Sequence, residues 1–324
     1  MLGYTVTWWL GSTLLLSGLS TLGSATLTIS SAFQVVEYMP QLVAIQDFEA
    51  DAKLVNGGVA NLASSPDTVD LAGNAETQGL RQFANHKDLR LIYVIAEVAY
   101  RLIAKKGSIT TPADLEGKRI GTMPGTSAAY FVQRMMASAG VQEGAYTVVS
   151  GFACNQAPCA SNSLPEMLKS GSVDAVGFWE PTDQLALDAI GLSNAVIFQN
   201  TTVYREIYSL YTTADKLEDP TMRQGIVEFM KKLLQASNKF VTDPDNVIPR
   251  VASQVKIDEN VLREAWSVHD WKGGLPADLV DTLTEEDEWV AKQDGRSALA
   301  RADIESFIDR TVLEEVQGNG THLQ

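Results

Sequence analysis

Gly125-Thr126-Ser127 stands between an apolar strand pattern at 119–122 and a helical pattern at 127–139. The start of a helix leaves its first N–H groups without intrahelical partners and carries partial positive charge. A glycine turn with two hydroxyls beside those N–H groups suits an oxygen of a carboxylate, sulfonate or phosphate. The same residues also make a plain helix cap with nothing bound, and the sequence leaves both readings open. Glu76 and Glu180 each follow a strand pattern and open a helix. Either could pair with an amine or amidine, and the helix dipole alone also favours a glutamate in a first turn. Trp179, just before Glu180, offers a wall for a flat or cationic group. Glu97 with Arg101 reads as a salt bridge near a chain crossing.

Covalent chemistry finds little support. The chain has no GxSxG elbow, no HExxH and no phosphate-binding P-loop, and Gly57-Gly58 lacks the spacing of a dinucleotide fingerprint. His86, His269 and His322 are scattered, and the two cysteines have no histidine nearby. No metal and no cofactor is therefore expected. Glu285-Glu286 and Asp287-Glu288 form one helical charge run, which reads as a solvated face. Glu76 and Glu180 acting as an acid–base pair across a cleft is the enzymatic alternative.

These residues sit in a 324-residue chain, enough for two domains. Hydrophobic residues make up 45%, which sustains packed cores. The net charge of −15 argues against nucleic acid and anionic membranes as partners and keeps a secreted chain soluble. An uncharged, largely apolar run from Trp8 to Leu22 precedes Gly23-Ser24-Ala25, so residues 1–25 read as a signal peptide lacking the usual basic start. A retained signal anchor is the alternative. Cys154 and Cys159 in CNQAPC then read as a disulfide. Asn200-Thr201-Thr202 and Asn319-Gly320-Thr321 read as glycan acceptors in a eukaryotic secretory pathway. The expected location is extracellular, or periplasmic in a bacterium.

Strand and helix patterns alternate along the rest. Short strands are expected at 27–30, 52–55 and 69–72, helices at 38–48 and 76–84, and one or two extended segments at 89–104. Strand–helix units follow at 119–139, 147–170 and 173–190, with strands at 195–198 and 207–213. The remainder is mostly helical. One α/β lobe thus spans 26–104 and 198–324, with C-terminal helices, and is interrupted by a second lobe at 105–197. Two crossings between lobes make a hinge with a ligand cleft beside it.

Four blocks carry a family resemblance: VDLAGNAE (69–76), ADLEGKRIGTMPGTSAAYFV (113–132), LKSGSVDAVGFWEP (168–181) and YREIYSLYTT (204–213). In this order the chain resembles the type II periplasmic solute-binding proteins. It is closest to the nitrate/sulfonate/taurine branch, which includes the thiamine-pyrimidine-precursor proteins. The resemblance implies two α/β lobes, each a mainly parallel sheet flanked by helices, closing on a small polar or anionic molecule, in most members without catalysis. It places Gly125, Thr126 and Ser127 at the cleft. Other cleft candidates lie at strand ends: Phe33 and Gln34, Asn74 and Glu76, Trp179 and Glu180, with Tyr204 and Glu206 just beyond the return crossing. A monomer is expected, with a membrane transporter as partner if the source is bacterial. The fungal branch includes a pyrimidine synthase that consumes its own histidine and carries a run of cysteines, and neither feature occurs here.

Overall fold

The computed structural model describes residues 26–318. The expected signal peptide, His322 and Asn319 of the second sequon lie outside the described residues. The chain opens with β1 (Leu27–Ser31), α1 (Met39–Asp47), β2 (Ala52–Asn56), α2 (Val59–Ser64), β3 (Leu71–Ala75) and α3 (Glu76–Phe83). The long apolar run divides into β4 (Leu89–Val98) and β5 (Arg101–Lys105). Next come β6 (Arg119–Thr122), α4 (Ser127–Ser138), β7 (Thr147–Ser150), α5 (Leu164–Ser170), β8 (Ala175–Phe178), α6 (Thr182–Ile190) and β9 (Ala195–Phe198). The chain returns through β10 (Glu206–Thr213) to α7 (Ala214–Glu218), α8 (Pro220–Thr242), α9 (Pro244–Val255), α10 (Glu259–Trp266), the short β11 (His269–Asp270), α11 (Leu279–Asp294), α12 (Arg301–Phe307) and α13 (Thr311–Gly318).

The strands form two sheets, ordered β11-β4-β10-β3-β1-β2 and β7-β6-β8-β5-β9. β1 runs parallel to β2 and β3, and β6 to β7 and β8, as strand–helix–strand units require. β10 is antiparallel to β3 and β4, and β5 is antiparallel to β8 and β9. Each sheet is therefore mixed. The expected parallel strands are joined by antiparallel ones that flank the crossings and so enter from the opposite end. β5 belongs to the second sheet, so the first crossing lies at Ala99-Tyr100, a few residues before the expected boundary. There the Ala99 N–H donates to the Val268 carbonyl and Gln199 Nε2 donates to the Ala99 carbonyl.

Both faces of the first sheet are covered. Alternate residues of β10 separate onto the two faces: Tyr208 and Leu210 pack with α1, α8 and α9, whereas Ile207 and Tyr211 pack with α3, α11 and α12. That is why β10 is buried throughout, its polar residues included. α8 starts on Pro220, with Asp219 accepting from the N–H groups of Thr221 and Met222. The second sheet has its own core, with Phe131, Met136, Leu164, Val176 and Phe178 fully buried.

Candidate functional site

The C-terminal ends of β1, β3 and β8, the start of β10 and the N-termini of α3 and α4 meet around a cleft of about 220 Å³. Gln34, Asn74, Gly125, Thr126, Ser127 and Trp179 all line it. Larger surface cavities lie elsewhere, one among Asp67, Asp88, Asp215 and Asp219 and one beside Trp266 and Trp271, away from these strand ends. First-turn residues of both helices line the cleft, Thr77 and Gln78 of α3 and Ser127 of α4, and neither helix has a side-chain cap, since Ala75 has no capping group and Thr126 makes no capping bond. The Thr126 hydroxyl instead donates to the Met123 carbonyl at 2.7 Å, and Ser127 Oγ lies 3.2 Å from the Tyr100 hydroxyl. The start of α4 on the second-sheet side thus offers N–H groups and partial positive charge to the cleft, facing the start of α3 on the first-sheet side.

The opposite character comes from Glu206, the first residue of β10. It is 3% exposed and lines the cleft, and its Oε2 has no hydrogen-bond partner. Burial pushes its carboxyl well above the usual carboxylate range, and the nearby charges of Glu37 and Glu76 push it further. The Tyr208 hydroxyl and the Trp179 indole N–H, both on cleft-lining residues, are likewise buried without partners. The cleft thus leaves a carboxyl oxygen, a phenol and an indole N–H able to meet polar groups from outside the protein.

Four expected site residues do not line the cleft. Phe33 is largely exposed, stacks on Tyr38 and donates its N–H to Asn56 Oδ1. Glu76 is fully buried, and its oxygens accept from the Tyr204 hydroxyl at 2.7 Å and the Ile207 N–H at 2.9 Å. Burial still raises its carboxyl. Tyr204 is thus a structural partner of Glu76 rather than a cleft residue. Glu180 accepts from Arg101 Nε at 2.9 Å and from the Gln184 N–H at 3.0 Å, and Arg101 is itself buried. The expected Glu97–Arg101 bridge is replaced by two others, because the crossing sends β4 and β5 into different sheets: Arg101 pairs with Glu180 and Glu97 with Arg205. The acidic run on α11 is only half solvated: Glu285 and Glu288 are exposed. Glu286 and Asp287 are buried, Asp287 accepting from Arg296 and from the Leu299 N–H, while burial and the charge of Glu76 hold Glu286 well above its ordinary range.

Cys154 and Cys159 are joined as a disulfide. Asn200 is exposed, with its Oδ1 accepting from the Thr202 hydroxyl at 2.8 Å. Among the described residues no group of three or more His, Cys, Asp or Glu is placed to hold a metal ion, and no helix is long and apolar enough to cross a membrane.

Two sheets joined by two crossings with a cleft between them define the two-lobed periplasmic-binding-protein fold. Solved structures share it across nearly the whole chain. The alkanesulfonate-binding protein of Xanthomonas axonopodis pv. citri, bound to MOPS, is 19% identical over 88% of this chain and 98% of its own, with a TM-score of 0.64. The periplasmic aliphatic sulphonate-binding protein of Escherichia coli is 17% identical over 88% and 92%, with a TM-score of 0.67. A desulfurization enzyme has the same fold at 13% identity over 91% and 99%, with a TM-score of 0.60. A comparison with curated protein sequences found no match. A family model described as NMT1/THI5 like matches residues 42–247, and the chain belongs to that family.

Proposed function

We propose that the protein is a secreted solute-binding protein that closes its lobes on a small organic molecule with an anionic group. The observation that carries the reading is the convergence of two helix starts without side-chain caps on one cleft that also holds the unpartnered Oε2 of Glu206. The anionic end meets the N–H groups at Thr126 and Ser127, with the Ser127 hydroxyl as a further donor. Trp179 forms a wall. Glu206 takes the part that the sequence offers to Glu76 or Glu180 and meets a positive or hydrogen-bond-donating group. The sulfonate ligands of the structural relatives fit this class, as do amino-acid-like and pyrimidine-precursor-like molecules. Secretion accords with the apolar leader, the disulfide and the sequons. A monomer, and a transporter partner if the source is bacterial, belong to the same reading.

The test is native mass spectrometry of secreted protein for a co-purified molecule, followed by calorimetric titration with small sulfonates and amino acids. Thr126→Ala with Ser127→Ala should raise the Kd of an anionic ligand roughly 10- to 100-fold, the worth of one hydrogen bond to a charged group. Unchanged affinity removes the Ser127 hydroxyl from the anion site, and failure of the chain to bind any anionic probe removes the site itself. Chemical conversion of the ligand during incubation would favour the enzymatic alternative, which Glu76 and Glu180 cannot serve as a pair in the cleft, since neither lines it.

A further inference from the structure

The carbonyl of Gly125 is held from across the cleft. Arg81 and Gln78 stand on α3 beside the first sheet, yet Arg81 Nη1 donates to the Gly125 oxygen at 2.9 Å and Gln78 Nε2 at 3.3 Å. Arg81 is itself braced, its Nε donating to both carboxylate oxygens of Asp294 at 2.9 and 3.0 Å. That pairing neutralises the guanidinium charge, and Arg81 does not line the cleft, so it is not a direct counter-charge for a ligand. It acts on the backbone. Gly125 has φ of +76°, in the left-handed region that glycine enters freely, and these two bonds are the ones that hold its carbonyl oxygen.

A peptide group is planar and trans, so the direction of the Gly125 carbonyl dictates the opposite direction for the Thr126 N–H. Among the described residues no protein group accepts from that N–H. We propose that Arg81 and Gln78 are positioning residues for the anion subsite: they hold the Gly125 carbonyl on the lobe-1 side and so turn the Thr126 N–H toward the ligand. This rests on the binding reading above. The buried, unpartnered Oε2 of Glu206 on the same cleft is the independent sign that a ligand belongs there. With the latch gone, the 125–126 peptide is free to rotate and present its oxygen, a negative dipole, to an anion. The two bonds also join the lobes, so they form only with the cleft closed. By linkage, a ligand that needs the N–H turned inward stabilises the latch, and the latch slows that ligand's departure.

The experiment compares the full secreted chain with Arg81→Ala and Arg81→Lys, using 2-aminoethanesulfonate and 2-aminoethanesulfonamide, which keeps the ammonium group but has no anionic end, as probes. Small-angle scattering without ligand reads closure, and stopped-flow binding reads kon and koff. Arg81→Ala should expand the ligand-free chain and raise koff for the sulfonate roughly tenfold with kon little changed. The sulfonamide should lose less, and Arg81→Lys, which keeps a donor, should recover part of the effect. Identical scattering, or an equal loss for both probes, overturns the proposal, because a merely structural arginine would not distinguish charge. If the wild-type chain binds neither probe, the anion reading fails, and the scattering comparison by itself decides whether Arg81 latches the lobes.

Discussion

Replacing Glu206 by Gln removes a titrating group from a place where the fold keeps it protonated. The unfolded chain releases this proton near the ordinary glutamate pKa, whereas the folded chain holds it to higher pH, through burial first and the charges of Glu37 and Glu76 second. The folded state therefore carries the excess proton as pH rises above the unfolded value, and stability falls across that window. One proton corresponds to about 1.4 kcal/mol per pH unit. The amide introduced by Glu206→Gln cannot titrate, and it also relieves Glu76 and Glu286, both of which feel the Glu206 charge or share its acidic surroundings. Against this, a buried amide without partners costs about 1–3 kcal/mol at every pH. The variant should thus be the less stable protein near pH 4 and gain on the wild type at about 1.4 kcal/mol per unit across the pH window in which only the folded chain holds the proton. Urea unfolding at half-unit steps from about pH 4 to 7, with matched m-values, measures the difference. Parallel stability curves would refute the claim that Glu206 carries a proton in the folded cleft.

Two further outcomes test the structural assignments. Arg101→Ala strands the buried Glu180 beside Asp183, whose carboxyl burial and the Glu180 charge already raise well above its ordinary range, so it should cost about 3–5 kcal/mol in urea unfolding at neutral pH and less in acid, where the carboxyls protonate. Gly273 has φ of +64°, and a Cβ there would collide with the buried Tyr93 hydroxyl oxygen. Gly273→Ala should cost about 2–5 kcal/mol, the sum of a left-handed backbone and an overpacked contact. Gly295→Ala, at φ of +66° in open space, should show the backbone cost of about 1–2 kcal/mol alone.

What can be read in the sequence follows one physical rule, and what cannot follows its exceptions. In an open α/β sheet the parallel strands deliver their C-terminal ends to the cleft, so Gln34, Asn74, Gly125, Thr126, Ser127 and Trp179 follow from strand ends and the glycine turn. β10 runs the other way. Its pairing of Tyr208 with Ala75 brings the beginning of β10 to the place where β3 finishes, so an antiparallel strand offers its first residue to the cleft. Glu206 is that residue, legible in the sequence as a candidate just beyond the return crossing but not as the carboxyl of the cleft, a part given there to Glu76 or Glu180. Its signal in the sequence is the one charged residue of a strand that is otherwise uncharged, an acid that must find a partner or keep its proton once buried. Glu76 and Glu180 fail for the converse reason. Position in a first helical turn says that a carboxylate is tolerated, but not which way it points. The deciding partners lie more than a hundred residues away for Glu76, at Tyr204 and Ile207, and seventy-nine away for Glu180, at Arg101. The charge run on α11 misleads in the same way: Glu286 and Asp287 look solvated only until α3 and the 296–299 turn are packed against them. Local spacing thus locates the rim of the cleft, whereas the charge at its floor depends on which distant strand returns between the parallel ones, and in which direction.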